Sequence, residues 1–144
     1  YAQAIPMGKG AALGLELTAY CLLIPVMEEA LFRGFILNVL RRAFPLAAAV
    51  GLECLIFAWG HGQALWFVYA LAMGLALTLL RLKTGGLCAP IAFHIAFNAA
   101  NYLQPQLYSA VGESRQGLVV LLAGGLIVCA CMILLLFSGR KKKE

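Results

Sequence analysis

From Ala11 to Phe137 the chain is almost unbroken apolar sequence, divided into five stretches by short runs that hold glycines, prolines and basic residues. A helix needs roughly 20 mostly apolar residues to cross the hydrocarbon of a bilayer, and the composition agrees with that demand. Of 144 residues, 63% are hydrophobic and 12% charged, against about 25% charged in an ordinary soluble domain. A chain so short of polar groups cannot cover its surface in water. The expected fold is all-α, a polytopic transmembrane helix bundle of about five membrane helices, because only internally hydrogen-bonded elements span lipid. It is read as one integral membrane domain over residues 1–144.

The breaks place the helices. Residues 1–10 carry Gln3, Pro6, Gly8, Lys9 and Gly10 and read as an irregular lead-in; with no basic n-region, no signal peptide is expected. The first helix runs from about Ala11 to Arg42, with a kink expected at Pro25, and stops at Arg41, Arg42 and Pro45. A second takes about residues 46–60, ending at Gly60-His61-Gly62-Gln63, and a third about 64–82, ending at Arg81 and Lys83. A fourth runs from about Leu87 to Leu103, with Pro90 tolerated in its first turn. Residues 104–116 read as a polar loop, and a fifth helix takes about Gly117 to Phe137. Ala70, Gly74 and Thr78 recur at every fourth position, a small-residue stripe that lets helix backbones approach closely in lipid. The five cysteines, Cys21, Cys54, Cys88, Cys129 and Cys131, form no C-x-x-C pair and read as small apolar packing residues.

The net charge of +5 sits at the ends of apolar stretches, which argues against a nucleic-acid partner and for a lipid bilayer. Arg41, Arg42, Arg81, Lys83 and Arg140 to Lys143 fall on one side, against Lys9 and Arg115 on the other. By the positive-inside rule the richer side is cytoplasmic, which places the C-terminus there. The short loops fit a bacterial inner or plasma membrane, with the endoplasmic reticulum as runner-up.

Inside the first helix lie Glu28, Glu29 and Arg33. Charge at the centre of a membrane helix costs about 2.5 to 3.5 kcal/mol per residue on insertion scales, so such a cluster reads as a functional site. Residues four apart share a helix face. Glu29 is therefore set to pair with Arg33, and Glu28 points elsewhere, free to accept a proton. The plainer reading is an ion pair that steadies the helix, but it leaves Glu28 unexplained. Phe57 and His61 are four apart, with Glu53 one turn back, and His94 and Asn98 are four apart, with Asn101 nearby. His61 alone is read equally well as an interfacial residue, and Glu53 as a supporting group or a bond to a neighbouring helix.

Together these groups suit peptide hydrolysis: a carboxylate deprotonates water, an imidazole holds it or moves its proton, and neutral donors meet the oxyanion. Glu28, His61 and His94 also match a zinc site of two histidines and one carboxylate. H-E-x-x-H is absent, so the sequence favours no cofactor and leaves zinc open. Ser109, Ser114 and Ser138 lie in loops or at a helix end, and no G-x-S-x-G is present.

Glu28-Glu29-Ala30-Leu31-Phe32-Arg33 resembles the E-E-x-x-x-R motif of the CPBP intramembrane protease family, which includes the type II CAAX prenyl endopeptidases. Phe57 to His61 resembles its F-x-x-x-H motif, and His94 to Asn98 its H-x-x-x-N motif, in the same order and over about residues 15–103. The resemblance implies an all-helical membrane enzyme that cleaves a membrane-anchored peptide near the membrane surface. In that picture Glu28 with His61 activates water, His94 and Asn98 form the oxyanion site, and Glu29 with Arg33 supports it or binds substrate. The family usually carries further helices before its first motif, which this sequence has little room for. A non-catalytic bacteriocin self-immunity or scaffold protein is the alternative the family offers. A small transporter or proton relay is a third reading, since buried Glu and His also mark ion paths.

Overall fold

A computed structural model describes residues 10–62 and 64–111, with side chains as far as Leu103. The expected lead-in before Gly10, the 112–116 part of the loop, the helix at 117–137, Cys129, Cys131 and the basic tail lie outside the described residues. The chain divides into two compact units, Tyr1–Tyr102 and Leu103–Glu144, and all three motifs lie in the first. Four helices are described, α1 (Ala11–Ala43), α2 (Leu46–Trp59), α3 (Ala64–Thr84) and α4 (Cys88–Val111), and no strand occurs among the described residues. The fold is all-α, as composition required.

Local chemistry sets the boundaries. Phe44, ahead of Pro45, is forced out of the helical region to φ −129°, ψ 152°, and α2 starts directly after Pro45. The turns before α3 and α4 use Gly62 at φ +79° and Gly85 at φ +72°, backbone that a side chain rarely tolerates. The Gly85 N–H donates to the Arg81 carbonyl at 3.0 Å and closes α3. Residues 104–111, expected in a loop, continue α4 instead. Glutamine is a good helix former, so Gln104 and Gln106 do not by themselves end a helix.

Where the sequence leads one to expect a kink, around Pro25, α1 has widened turns on either side. Thr18–Leu23 and Ala30–Ile36 are π-helical, flanking the segment Ile24–Glu29 that contains buried Pro25. Proline has no N–H to give the carbonyl four residues back. A π stretch inserted into an α-helix turns later side chains relative to earlier ones, and such stretches are frequent at functional sites.

Polarity is arranged inside out. Leu15, Met27, Phe35, Trp59, Leu65 and Val68 all stand outward, Trp59 at 79% and Leu65 at 81% exposure. Meanwhile Glu29, Arg33, Glu53, Thr78 and His94 are buried. Soluble monomers rarely display so much contiguous apolar surface. Two described helices, α1 and α3, are long and apolar enough to cross a membrane; α2 is apolar but has only 14 residues. At 1.5 Å per residue α2 spans about 21 Å. Of the five spans expected, these two therefore meet the requirement by length and composition.

Close packing of α2 on α3 follows the small-residue stripe. Ala70, Gly74 and Thr78 are all buried, and Phe57, Ala58 and Ala70 form a core cluster with Phe32, Phe67 and Leu71 against it. Cys21 and Cys54 are buried as expected, whereas Cys88 is exposed at the start of α4. At Gly74 a Cβ would lie 3.1 Å from Phe57 Cδ1 and 3.4 Å from Arg33 Nη2. Gly74→Val should thus destabilise the protein by about 1 to 3 kcal/mol, measured by thermal unfolding in detergent. Gly51→Ala, where a Cβ meets nothing within 4 Å, should not lower the melting temperature; equal melting of both variants would refute this account of the contact.

Candidate active site

The site is built around Arg33. Its Nη1 donates to Glu29 Oε1 at 3.0 Å, one helical turn back as the sequence spacing predicts. Its Nη2 donates to the Gly74 carbonyl at 3.0 Å, its Nε to Thr78 Oγ1 at 3.3 Å, and Nε also lies 3.3 Å from Glu53 Oε1. The Phe57 ring lies with its centroid 4.4 Å from the guanidinium carbon, within range of a cation–π contact. Thr78 Oγ1 donates in turn to Glu53 Oε2 at 2.7 Å. Arg33, Glu29, Glu53 and Thr78 are each 0% exposed. An Arg fork with several fixed donors suits such a setting better than Lys.

Glu29 Oε1 also accepts from His94 Nδ1 at 2.9 Å. This bond assigns the imidazole tautomer: a carboxylate bound to a guanidinium accepts only, so Nδ1 carries the proton and Nε2 faces the other way. Nε2 lies 3.6 Å from Glu28 Oε2. At that separation one water lying off the line between them can touch both groups. The Glu28 side chain is 29% exposed and those of Glu29 and Arg33 fully buried. The adjacent carboxylates thus differ as expected in their relation to Arg33. They do not face unrelated surroundings, however: both reach His94, from opposite ring nitrogens.

His61 lies beyond the last residue of α2, and its Nδ1 donates to the Phe57 carbonyl at 2.9 Å. A carbonyl accepts only, so Nδ1 is the donor in this bond. The Phe57 ring approaches both imidazoles, with its centroid 4.9 Å from that of His61 and 6.3 Å from that of His94. Among the described residues, no hydrogen bond or ion pair joins His61 to Glu28 or His94. The structure therefore brings Glu28, Glu29, Arg33 and His94 together directly and leaves His61 next to Phe57. Asn98 Nδ2 donates to the Tyr20 carbonyl at 3.0 Å, within the first π stretch of α1. The second Asn98 N–H is a further donor. Asn101 donates to Tyr69 Oη at 3.0 Å and Tyr102 to Glu16 Oε2 at 2.8 Å. Among the described residues, no three His, Cys, Asp or Glu side chains form a group able to hold a metal ion.

Thr78 and the Gly74 carbonyl have polar roles that the sequence does not announce, since both positions read there as packing stripe. The available signal is that Thr78 is the lone hydroxyl amid the aliphatic residues of α3 between Ala70 and Leu80. Glu53 hydrogen-bonds a neighbouring helix, one of the two roles left open for it.

Comparison with known proteins gives two findings. The family model for type II CAAX prenyl endopeptidase Rce1-like proteins matches residues 11–100. An uncharacterized 24.3 kDa protein of Escherichia coli is 33% identical over 86 residues, 56% of this chain and 40% of the relative. No solved structure matches.

Breaking a buried ion pair by deleting one partner strands the other, at roughly 3 to 5 kcal/mol. Arg33→Met should accordingly destabilise the folded protein on that scale in denaturant unfolding in detergent. Glu28→Gln, at a partly exposed carboxylate without that partner, should cost far less. Similar losses for the two would contradict the distinction.

Proposed function

The chain belongs to the type II CAAX prenyl endopeptidase Rce1-like family of membrane proteases, and on that premise we propose that it is an intramembrane endopeptidase using water activated by Glu28. The observation that carries this reading is His94 held between two carboxylates, with Nδ1 on buried Glu29 and Nε2 toward part-exposed Glu28. Glu28 takes a proton from the water, and the resulting hydroxide attacks the scissile carbonyl carbon. The oxyanion that forms is met by the free N–H of Asn98. The proton then passes from Glu28 or His94 Nε2 to the departing amine as the C–N bond breaks, which restores the starting charges. Glu29 keeps the ring oriented, and Arg33 keeps Glu29 in place. His61, bonded through Nδ1 to the Phe57 carbonyl, stands beside Phe57 rather than on Glu28 or His94 and is given no step here.

The steps written here use side chains and water alone. The chain spans 40% of the relative's length, so substrate and partners remain part of the proposal. We assign a membrane-anchored peptide or protein cut close to the bilayer surface, in a bacterial inner or plasma membrane with the C-terminus cytoplasmic. The basic residues at the C-terminal ends of α1 and α3 support that orientation. A fluorescent protein fused after Glu144 should be bright in cells and an alkaline phosphatase fused there inactive; the reverse pattern would invert the topology.

The activity is tested by cleavage of membrane-anchored peptide reporters with purified protein in detergent. Activity should survive chelation and fall by about a hundredfold or more in Glu28→Gln, the range removed with a general base. Equal rates in parent and variant would eliminate Glu28 as the base. Loss on chelation with recovery on zinc would replace the metal-free mechanism, and a parent that binds the peptides without cutting them would favour an immunity or scaffold role.

A further inference from the structure

Hydrolysis by Glu28, Glu29, Arg33, His94 and Asn98 gives no task to Glu53, a second carboxylate buried at the same guanidinium. Its presence needs a reason. One carboxylate, Glu29, already neutralises Arg33, and a further buried anion is costly unless it is paired and hydrogen-bonded. Glu53 has such partners on its Oε2 side: the Thr78 hydroxyl donates at 2.7 Å and the Cys54 thiol at 3.5 Å. Its Oε1 lies 3.3 Å from Arg33 Nε as an ion pair but accepts no hydrogen bond, and Glu29 Oε2 likewise accepts none. Glu53 and Thr78 therefore both contact Nε, while Nη1, the atom bound to Glu29, lies across the same rigid planar group.

The direction of the bonds follows from the chemistry of each group. The Thr78 hydroxyl has a single proton, spent on Glu53 Oε2, so toward Arg33 Nε it presents its lone pairs. Nε–H is thereby held between Thr78 and Glu53, and Nη2–H by the Gly74 carbonyl. The guanidinium can no longer swing in its plane over the Phe57 ring, and Nη1 stays aimed at Glu29 Oε1. That oxygen is the acceptor of His94 Nδ1. A continuous polar chain thus runs from Thr78 and Glu53 through Arg33 and Glu29 to the imidazole.

We propose that Glu53 and Thr78 are positioning residues: by fixing the Arg33 fork they set the orientation and tautomer of His94, whose Nε2 faces Glu28. The inference rests on the peptidase reading for its effect on turnover, while its effect on His94 stands apart from that reading. Misplacing a reacting group by about 1 Å can cost up to a hundredfold in rate. Loosening the fork should therefore lower kcat and leave KM nearly unchanged, since neither residue touches substrate.

The test uses the full chain in detergent with Thr78→Val, which keeps volume and removes the hydroxyl, Thr78→Ser, which restores it, and Glu53→Gln. The chain contains two histidines, His61 and His94, so nitrogen NMR of histidine-labelled protein reads the His94 tautomer directly, with His61→Gln assigning the signals. The parent should show the Nδ1–H form of His94. Thr78→Val and Glu53→Gln should mix in the Nε2–H form and lower kcat by tenfold or more, and Thr78→Ser should restore both. A His94 spectrum unchanged in Thr78→Val overturns the proposal, and should Glu53→Gln fail to fold, Thr78→Val and Thr78→Ser decide it. If the parent cleaves nothing, the peptidase reading falls and the tautomer comparison still decides this one.

Discussion

A single guanidinium placed where hydrocarbon would otherwise be sets the terms for the rest of this fold. Arg33 is fully buried, and each helix in contact with it contributes partners: Glu29 from its own helix, Glu53 and the Phe57 ring from α2, and the Gly74 carbonyl and Thr78 hydroxyl from α3. Because those partners come from three helices, sliding one helix by a single residue would break several of them at once. Ion pairs in low dielectric are weak evidence for added stability. Here their effect is on register, since the apolar contacts of α2 and α3 alone would tolerate neighbouring alignments more readily.

Much of this is legible in the chain because charge in apolar sequence is so conspicuous. Glu28, Glu29 and Arg33 stand out in α1, and helical spacing alone links Glu29 to Arg33. Pro45, Gly62 and Gly85 mark turns whose chemistry is local, which is why the first three helices end where the sequence places them. Other features depend on distance in the fold. Thr78 in an apolar helix looks the same whether it packs against a backbone or donates to Glu53, 25 residues away. The imidazole beside Glu28 belongs to His94 rather than His61, a choice that turns on how α1 rotates through its π stretches and on where α2 stops. No template of regular α-helix contains either fact. The length of α4 is hidden for a different reason: side-chain polarity reports surroundings, and backbone conformation continues regardless.

The two imidazoles show how one aromatic ring organises a small site. Each histidine uses its Nδ1–H on an oxygen that can only accept, a carbonyl for His61 and a carboxylate for His94, and each approaches the Phe57 ring. Phe57 is itself buried, packed edge-on to Phe32 and beside the Arg33 guanidinium. It thereby keeps apolar bulk between the cation and the turn where α2 ends, so that the charges of the cluster act on one another at low dielectric rather than on bulk solvent.

The shortness of α2 bears on a different problem, the access of water to polar groups held among apolar helices. Its 14 residues cover about 21 Å of a hydrocarbon layer roughly 30 Å thick. A membrane relieves such a mismatch by thinning locally or by drawing its headgroups inward. For the proposed peptidase, a helix of this length lying across the bilayer would displace the boundary between oil and water toward the midplane at one of its ends. A substrate peptide passing such a dent would lose hydrocarbon cover early, and with it the pressure to keep its backbone hydrogen bonds closed within a helix. The deformation would thus present an unwound backbone and a hydrated boundary at one place, through the shape of the solvent rather than through any side chain.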